Sequence, residues 1–338
     1  MFLFVLSKTF KDMSFLESLL KIYSIILKNS IKPLHLYLMN STMDDQIRLA
    51  AFNWLNKQVI IHGDSLPRSI LTEGFPYSGQ RIRLMGPQGI WKPQQMDLPI
   101  SITTVIDGPY DDRSDSKGFL KYKYRGDNPN HRDNMGLREV LRLRKPLIYF
   151  FNIFPGKYLA TYPVFVVNDN PSHLSFTVAV DDISYFLADP IEETEAETAR
   201  RSYITQTVLY RAHQRQFRER VIAAYWSQCA LCRLKHVELL DAAHIIGDLE
   251  DHGDPVVQNG LSLCKIHHAA FDHNIIGFSP DYQVIVRRDI LEEIDGPMLK
   301  YGLQSLNGSR LILPNHHCDW PDRERLDKRY HDFLRAAG

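Results

Sequence analysis

Two pairs of soft donors constrain this chain more than any other feature: Cys229-Ala-Leu-Cys232 and, about thirty residues later, Cys264-Lys-Ile-His267. Each spacing lets two side chains turn onto one ion, and four sulfur and nitrogen donors in a tetrahedral array suit Zn²⁺. The chain has four cysteines in 338 residues. That is far too few to staple a fold of this size, so a reduced, cytoplasmic compartment with a metal site is the expectation. Structural zinc on Cys229, Cys232, Cys264 and His267 follows, with Cys318 and His273 as spare donors, either of which could take the fourth place. The intervening segment is rich in His, Asp and Gly and buries little apolar surface, so metal binding would supply folding free energy that its core does not.

The length fits two domains rather than one core. Residues 1–42 hold apolar positions at helical spacing (Phe15, Leu16, Leu19, Leu20, Ile22, Ile26) among lysines, and lack the small-residue cleavage site of a secretory signal. They read as an amphipathic helical extension that need not belong to the functional protein. An amphipathic helix is expected over 44–58. From about 60 to 185 the pattern changes to short strands with turn punctuation: Phe119–Gly126 alternates strictly, two β-rich runs break at Pro155-Gly156, and one helix is expected near Asn134–Leu143. These features predict an α+β chain, with a curved β-sheet or open barrel over 43–188. An acidic-then-basic connector at 189–204 leads to a second domain over 205–338, where a helical period returns. No charge-free apolar run approaches the roughly 18 residues that span a bilayer.

Formal net charge is zero, so no overall field draws the chain to a polyanion. The charge is nonetheless unevenly placed. Residues 200–235 hold eight Lys/Arg, among them Arg211, Arg215 and Arg218, against one acid, and residues 113–145 hold ten against four. Such stretches can meet nucleic acid locally, although each alone is equally explained as a solvated face.

Between the zinc half-sites, Leu239–Ile246 reads as a strand carrying His244; Asn259 follows fifteen residues later and His268 nine after that. In Asp-Ala-Ala-His-Ile, Asn-Gly-Leu and His-His-Ala-Ala-Phe-Asp, these residues resemble the His-Asn-His (HNH, ββα-metal) nucleases, and among them the McrA-like modification-dependent restriction endonucleases. The resemblance covers about 205–335. It implies His244 as the base that activates water, and Asn259 as the residue that orients it or pins its loop. It also implies His268 as a third catalytic residue that, with Asp272 four positions on, holds a catalytic Mg²⁺ or Mn²⁺. Many family members carry an acid immediately before the base. Here that position is Ala243, and Asp241 lies three earlier, on the opposite strand face from His244.

The 60–185 region is similar, more weakly, to the SRA/PUA-like readers of modified bases. Such a pocket needs aromatic faces, a carboxylate or amide for the base edge, and cations for the flanking phosphates. Trp91, Tyr110, Asp111, Asp112, Tyr122 and Tyr124 are the candidates for the base, and Lys121, Lys123, Arg125 and Arg132 for phosphate. Core packing of Tyr122 and Tyr124, with Lys121 and Lys123 on the wet face, is the competing reading. The chain is therefore expected to be an endonuclease acting on modified double-stranded DNA. Double-strand cleavage by one such site calls for two copies, which makes a homodimer the expected assembly. The rival expectations are a non-catalytic zinc-bearing DNA-binding protein, an RNA-directed nuclease and a membrane-surface protein using residues 1–42.

Overall fold

The computed structural model describes residues 42–105, 118–181 and 194–337. The N-terminal helical extension and the candidates Tyr110, Asp111 and Asp112 lie outside these residues. The chain is α+β and divides into two compact units: residues up to 103 with 113–150 and 160–206, and residues 104–112, 151–159 and 207–338. Among the described residues, no helix is long and apolar enough to cross a membrane.

The first unit begins with α1 (Met43–His62), whose N-cap Thr42 and Asp45 form a reciprocal capping box. Ile47, Ala51, Phe52 and Leu55 recur at helical spacing and are buried. Between them the helix also buries charge. Arg48, 1% exposed, donates to the carbonyls of Pro146 and Pro99, each at 2.7 Å. One turn earlier, the Asp44 carboxylate accepts the backbone N–H groups of Asp97 and Leu98, each at 3.1 Å. A buried guanidinium is tolerated where charge-assisted bonds replace water, so α1 is fastened to two loops by polar as well as apolar contacts.

The described strands and helices that follow are β1 (Ser65–Pro67), α2 (Arg68–Glu73), β2 (Phe75–Tyr77), β3 (Gln80–Ile82), β4 (Ile90–Trp91), β5 (Ser101–Val105), β6 (Leu120–Lys123), α3 (Arg132–Arg142), β7 (Leu147–Phe154), β8 (Lys157–Asn170) and β9 (Ser175–Val180). Seven of these strands form a curved half-barrel sheet in the order β4-β5-β7-β8-β9-β6, with β1 paired to β8. The β-rich runs and the helix near Asn134 thus appear as expected. In β7, Leu147 to Phe151 are at most 1% exposed, as an unbroken apolar run requires of a strand covered on both faces. In β6 the alternation of Leu120 and Tyr122 with Lys121 and Lys123 becomes a buried face and an exposed one.

The helix α4 (Glu195–Ala224) runs through the basic stretch, so the residues of the expected connector from 195 onwards are helical. In the second unit, Cys229–Cys232 forms a tight turn closed by Cys229 N–H to Leu234 O and Arg233 N–H to Cys229 O. After a single 3-10 turn, β10 (Leu240–His244) pairs antiparallel with β11 (Gly260–Cys264), and α5 (Lys265–Asp272) follows directly. The strand expected over 239–246 is therefore shorter, although Ile245 N–H still reaches Asn259 O at 2.9 Å. Beyond come β12 (Ile276–Phe278), β13 (Val284–Val286), α6 (Arg288–Glu292), α7 (Pro297–Gly302) and α8 (Arg323–Ala337).

The core of this unit gathers Phe217 and Val221 of α4 and Tyr225 just beyond it with Leu240, Ala243, Leu261, Leu263 and Phe271. Gly260, opposite His244 in the register, makes that packing achievable. A Cβ there would stand 2.4 Å from Val221 Cγ2 and 2.9 Å from Phe217 Cζ. Gly260→Ala should therefore destabilise the second unit by about 1–3 kcal/mol through overpacking, measured as a lower midpoint of thermal unfolding.

Candidate functional site

Four donor atoms converge where the turn after α4, the end of β11 and the first turn of α5 meet. Those of Cys229, Cys232, Cys264 and His267 all lie within 4.8 Å of one another. His267 Nδ1 is 3.4 Å from Cys229 Sγ and 3.2 Å from Cys264 Sγ, and Cys232 Sγ is 4.0 Å from Cys264 Sγ. Tetrahedral zinc with thiolate ligands implies sulfur separations of roughly 3.8 Å, so the cage has the size of that ion's shell. The histidine tautomer agrees. His267 Nε2 lies 2.8 Å from Gly302 O, and because a carbonyl only accepts, the proton sits on Nε2 and the Nδ1 lone pair faces the thiols. Among the described residues this is the one such cluster. It contains neither Cys318, which is exposed, nor His273.

One strand away, His244 ends β10 with its ring stacked on Phe217, centroids 4.1 Å apart at 21°. Its Nε2 is buried and has no hydrogen-bond partner among the described residues. Burial, the largest influence, holds this imidazole below the ordinary histidine range, and His268 pushes the same way, while Asp248 and Asp272 pull against them. A neutral ring with a free nitrogen lone pair can accept a proton. That His268 and Asp272 act on it electrostatically also means that the two halves of the motif share one neighbourhood.

Asn259 is fully buried and does not hold the ring. Its Oδ1 accepts the N–H of Ile246 at 2.9 Å, and its Nδ2 donates to the carbonyls of Ile246 at 2.9 Å and Asp254 at 3.1 Å. Of its two expected roles the geometry matches the loop pin. It satisfies both backbone groups of the second residue after His244, and so fixes where β10 ends.

On α5, His268 stands between two carboxylates, with Nδ1 3.5 Å from Asp241 Oδ2 and Nε2 3.4 Å from Asp272 Oδ2. The one-turn spacing on a helix brings Asp272 there. Strand alternation does carry Asp241 off the face of His244, but toward His268, a contact that the spacing alone did not reveal. Burial raises the Asp241 carboxyl, and the Lys265 ammonium at 3.0 Å together with His268 outweighs it, leaving the group below the usual carboxylate range. Nitrogen and oxygen donors of this kind suit a hard divalent ion. Phe217 is the other site residue that motif spacing missed; its signal is the apolar Phe217, Val221 and Tyr225 stripe in the lead-in helix.

The remaining candidates are dispersed. Arg218 donates to the carbonyls of Val237 and Leu240 and so works inside the fold, whereas Arg211 is exposed and Arg215 half-buried. In the first unit Tyr122 and Tyr124 are each 7% exposed. Tyr122 meets Tyr149 edge-on, and Tyr124 bonds to Asp169, itself held by Arg138 at 2.6 Å. These are the positions that the core-packing alternative describes. Lys121, Lys123 and Arg132 are exposed, and Arg125 pairs with Asp133. Trp91 and Arg132 come together at a cavity of about 360 Å³ that also takes in Gln88, Lys92, Asp97 and Asp133. The indole is fixed there by Nε1 donating to Arg83 O at 2.9 Å.

Residues 229–279 match the HNH_2 family model, described as HNH endonuclease. Among solved structures, the "Modification dependent TagI restriction endonuclease" is similar at 16% identity and a TM-score of 0.26, covering 69% of this chain and 80% of its own. The Type IV phosphorothioation-dependent restriction endonuclease ScoMcrA is similar at 16% identity and a TM-score of 0.21, covering 54% of each chain. No curated protein matches the chain.

If the four-donor cage holds an ion that folds its surroundings, purified protein should carry about one equivalent of zinc by elemental analysis. Cys229→Ala should lose it and unfold the second unit, seen as loss of its cooperative thermal transition, while the first unit keeps its own.

Proposed function

Starting from an HNH endonuclease domain at residues 229–279, we propose that the protein is a deoxyribonuclease that hydrolyses phosphodiester bonds of modified, foreign double-stranded DNA in the cytoplasm. The observation that carries this reading is the half-buried His244 ring, stacked on Phe217 within electrostatic reach of His268 and Asp272. In this scheme Zn²⁺ on Cys229, Cys232, Cys264 and His267 is structural. His268 and Asp272 would hold a catalytic Mg²⁺ or Mn²⁺, with Asp241 beside them. That ion, when bound, supplies positive charge for the developing phosphorane and the leaving oxygen.

The protein's own groups do the rest. The half-buried His244 ring takes a proton from water as the water oxygen bonds to phosphorus; the opposite phosphorus–oxygen bond breaks, and the leaving oxygen takes its proton from solvent. The buried seat keeps the ring neutral and ready, so the rate should fall on acidification only below the ordinary histidine midpoint of about 6.5. Asn259 holds the strand end so that the ring stays aimed, and Phe217 fixes its plane. His244→Ala should reduce plasmid nicking about 10²–10⁴-fold while DNA retention in gel-shift assays and the thermal unfolding midpoint stay near wild type. Loss of folding in that variant would remove the catalytic assignment.

Specificity is assigned to the first unit. The cavity with Trp91, Gln88 and Asp97, rimmed by Lys92 and Arg132, offers an aromatic face, polar edge groups and cations, which is what a modified base with its phosphates requires. Cleavage compared on methylated, hydroxymethylated, phosphorothioated and plain DNA identifies the modification. Trp91→Ala should weaken binding of the preferred substrate about tenfold or more, since base–aromatic stacking contributes about 1–3 kcal/mol. Residual cutting of unmodified DNA should persist. Paired cutting of both strands is assigned to two copies acting together.

A further inference from the structure

The position before His244, which many HNH nucleases fill with an acid, is Ala243, and the imidazole sits in a seat that disfavours the charge it must acquire. One face of α4 indicates how the protein compensates. Tyr210, Gln214, Phe217 and Val221 recur at spacings of four, three and four and so share a stripe of the helix. Val221 and Phe217 lie against Gly260 and Phe217 stacks on His244. Next along the stripe, Gln214 Nε2 donates to Asp248 Oδ2 at 2.7 Å, and the Tyr210 hydroxyl donates to the same oxygen. Gln214 and Phe217 are three residues apart, about 4.5 Å along the helix axis, so the Asp248 carboxylate is anchored one turn from the base.

The chain around Asp248 is equally fixed. Asn259 pins Ile246 two residues before it. The loop then closes so tightly that a Cβ on Gly253 would stand 1.9 Å from Gly247 O. Both anchoring bonds go to Oδ2, and no partner is present for Oδ1 among the described residues. We propose that Asp248 is the positioning residue of the base: a half-buried carboxylate that α4 holds within through-space reach of His244, stabilising the imidazolium formed when the ring takes its proton without hydrogen-bonding to it.

This inference rests on His244 being the base. The charged and titratable groups acting on the ring are Asp248 from the loop and His268 and Asp272 from α5; α4 contributes Phe217, which carries no charge. Asp248 is therefore the carboxylate that reaches the ring without also flanking His268.

The test uses the full-length protein with its histidines labelled with nitrogen-15, free of added Mg²⁺ or Mn²⁺. The His244 signal is identified by its absence in His244→Gln. Asp248→Asn keeps an oxygen to accept from Tyr210 and Gln214 and removes only the charge. It should lower the His244 titration midpoint by about half a pH unit to one unit, moderated by partial solvent exposure. In a separate assay with Mg²⁺ supplied, the acid limb of plasmid nicking should move down by the same amount, and the plateau rate should fall. A paired Tyr210→Phe, Gln214→Leu variant, which keeps the charge but frees the carboxylate, should shift the midpoint less, in the same direction. A midpoint unmoved in Asp248→Asn, at unchanged thermal stability, overturns the proposal. Absence of nicking in the wild-type protein would sink the nuclease reading instead, and the titration would still report on Asp248.

Discussion

The second unit depends on four donor atoms drawn into one small cage. Cys229 follows the turn that ends α4, Cys264 closes β11 and caps α5, and His267 lies in the first turn of α5 with its far nitrogen on Gly302. An ion in that cage would join a long helix, a two-stranded ribbon and a short helix at the edge of the apolar core that Phe217, Val221, Leu240, Leu261, Leu263 and Phe271 form between them. A two-stranded ribbon of five residue pairs is marginal alone, and an eight-residue helix is too short to persist in water. Held together, they present His244 and His268 to one space.

Around that cage the polar and apolar contacts divide the work. Asn259 spends its whole hydrogen-bonding capacity on backbone, and removing it would orphan buried amide groups at a cost of about 1–3 kcal/mol. Phe217 supplies a flat apolar wall, and Gly260 lets that wall approach. Precise aim of the imidazole comes from this second layer, because the ring itself makes no hydrogen bond through Nε2.

The first unit solves a different problem. Its sheet is stabilised by an apolar central strand, but the connections around it are set by buried charge: Arg48 and Asp44 take up the backbone groups of two loops, and Lys145 meets Asp45 at 2.7 Å. Partners left unpaired in such an arrangement are costly, so the loops near Trp91 are held in one geometry.

The sequence alone determined the features that depend on local spacing. The Cys-x2-Cys and Cys-x2-His half-sites, the one-turn separation of His268 and Asp272, the alternation in Leu120–Lys123 and the unbroken apolar run of β7 each follow from backbone period, and the structure reproduces each. The Cys-x2-His spacing put His267 first for the fourth place, but it could not exclude the spare donors Cys318 and His273, which only the folded chain leaves out of the cage. Burial of Tyr122 and Tyr124 was one of two readings that the alternation allowed, and the fold takes it; the meeting of Asp241 with His268 and the Phe217 ring beneath His244 were not legible. Those contacts join residues far apart in the chain, and their identity is set by how helices cross strands, which no periodicity encodes.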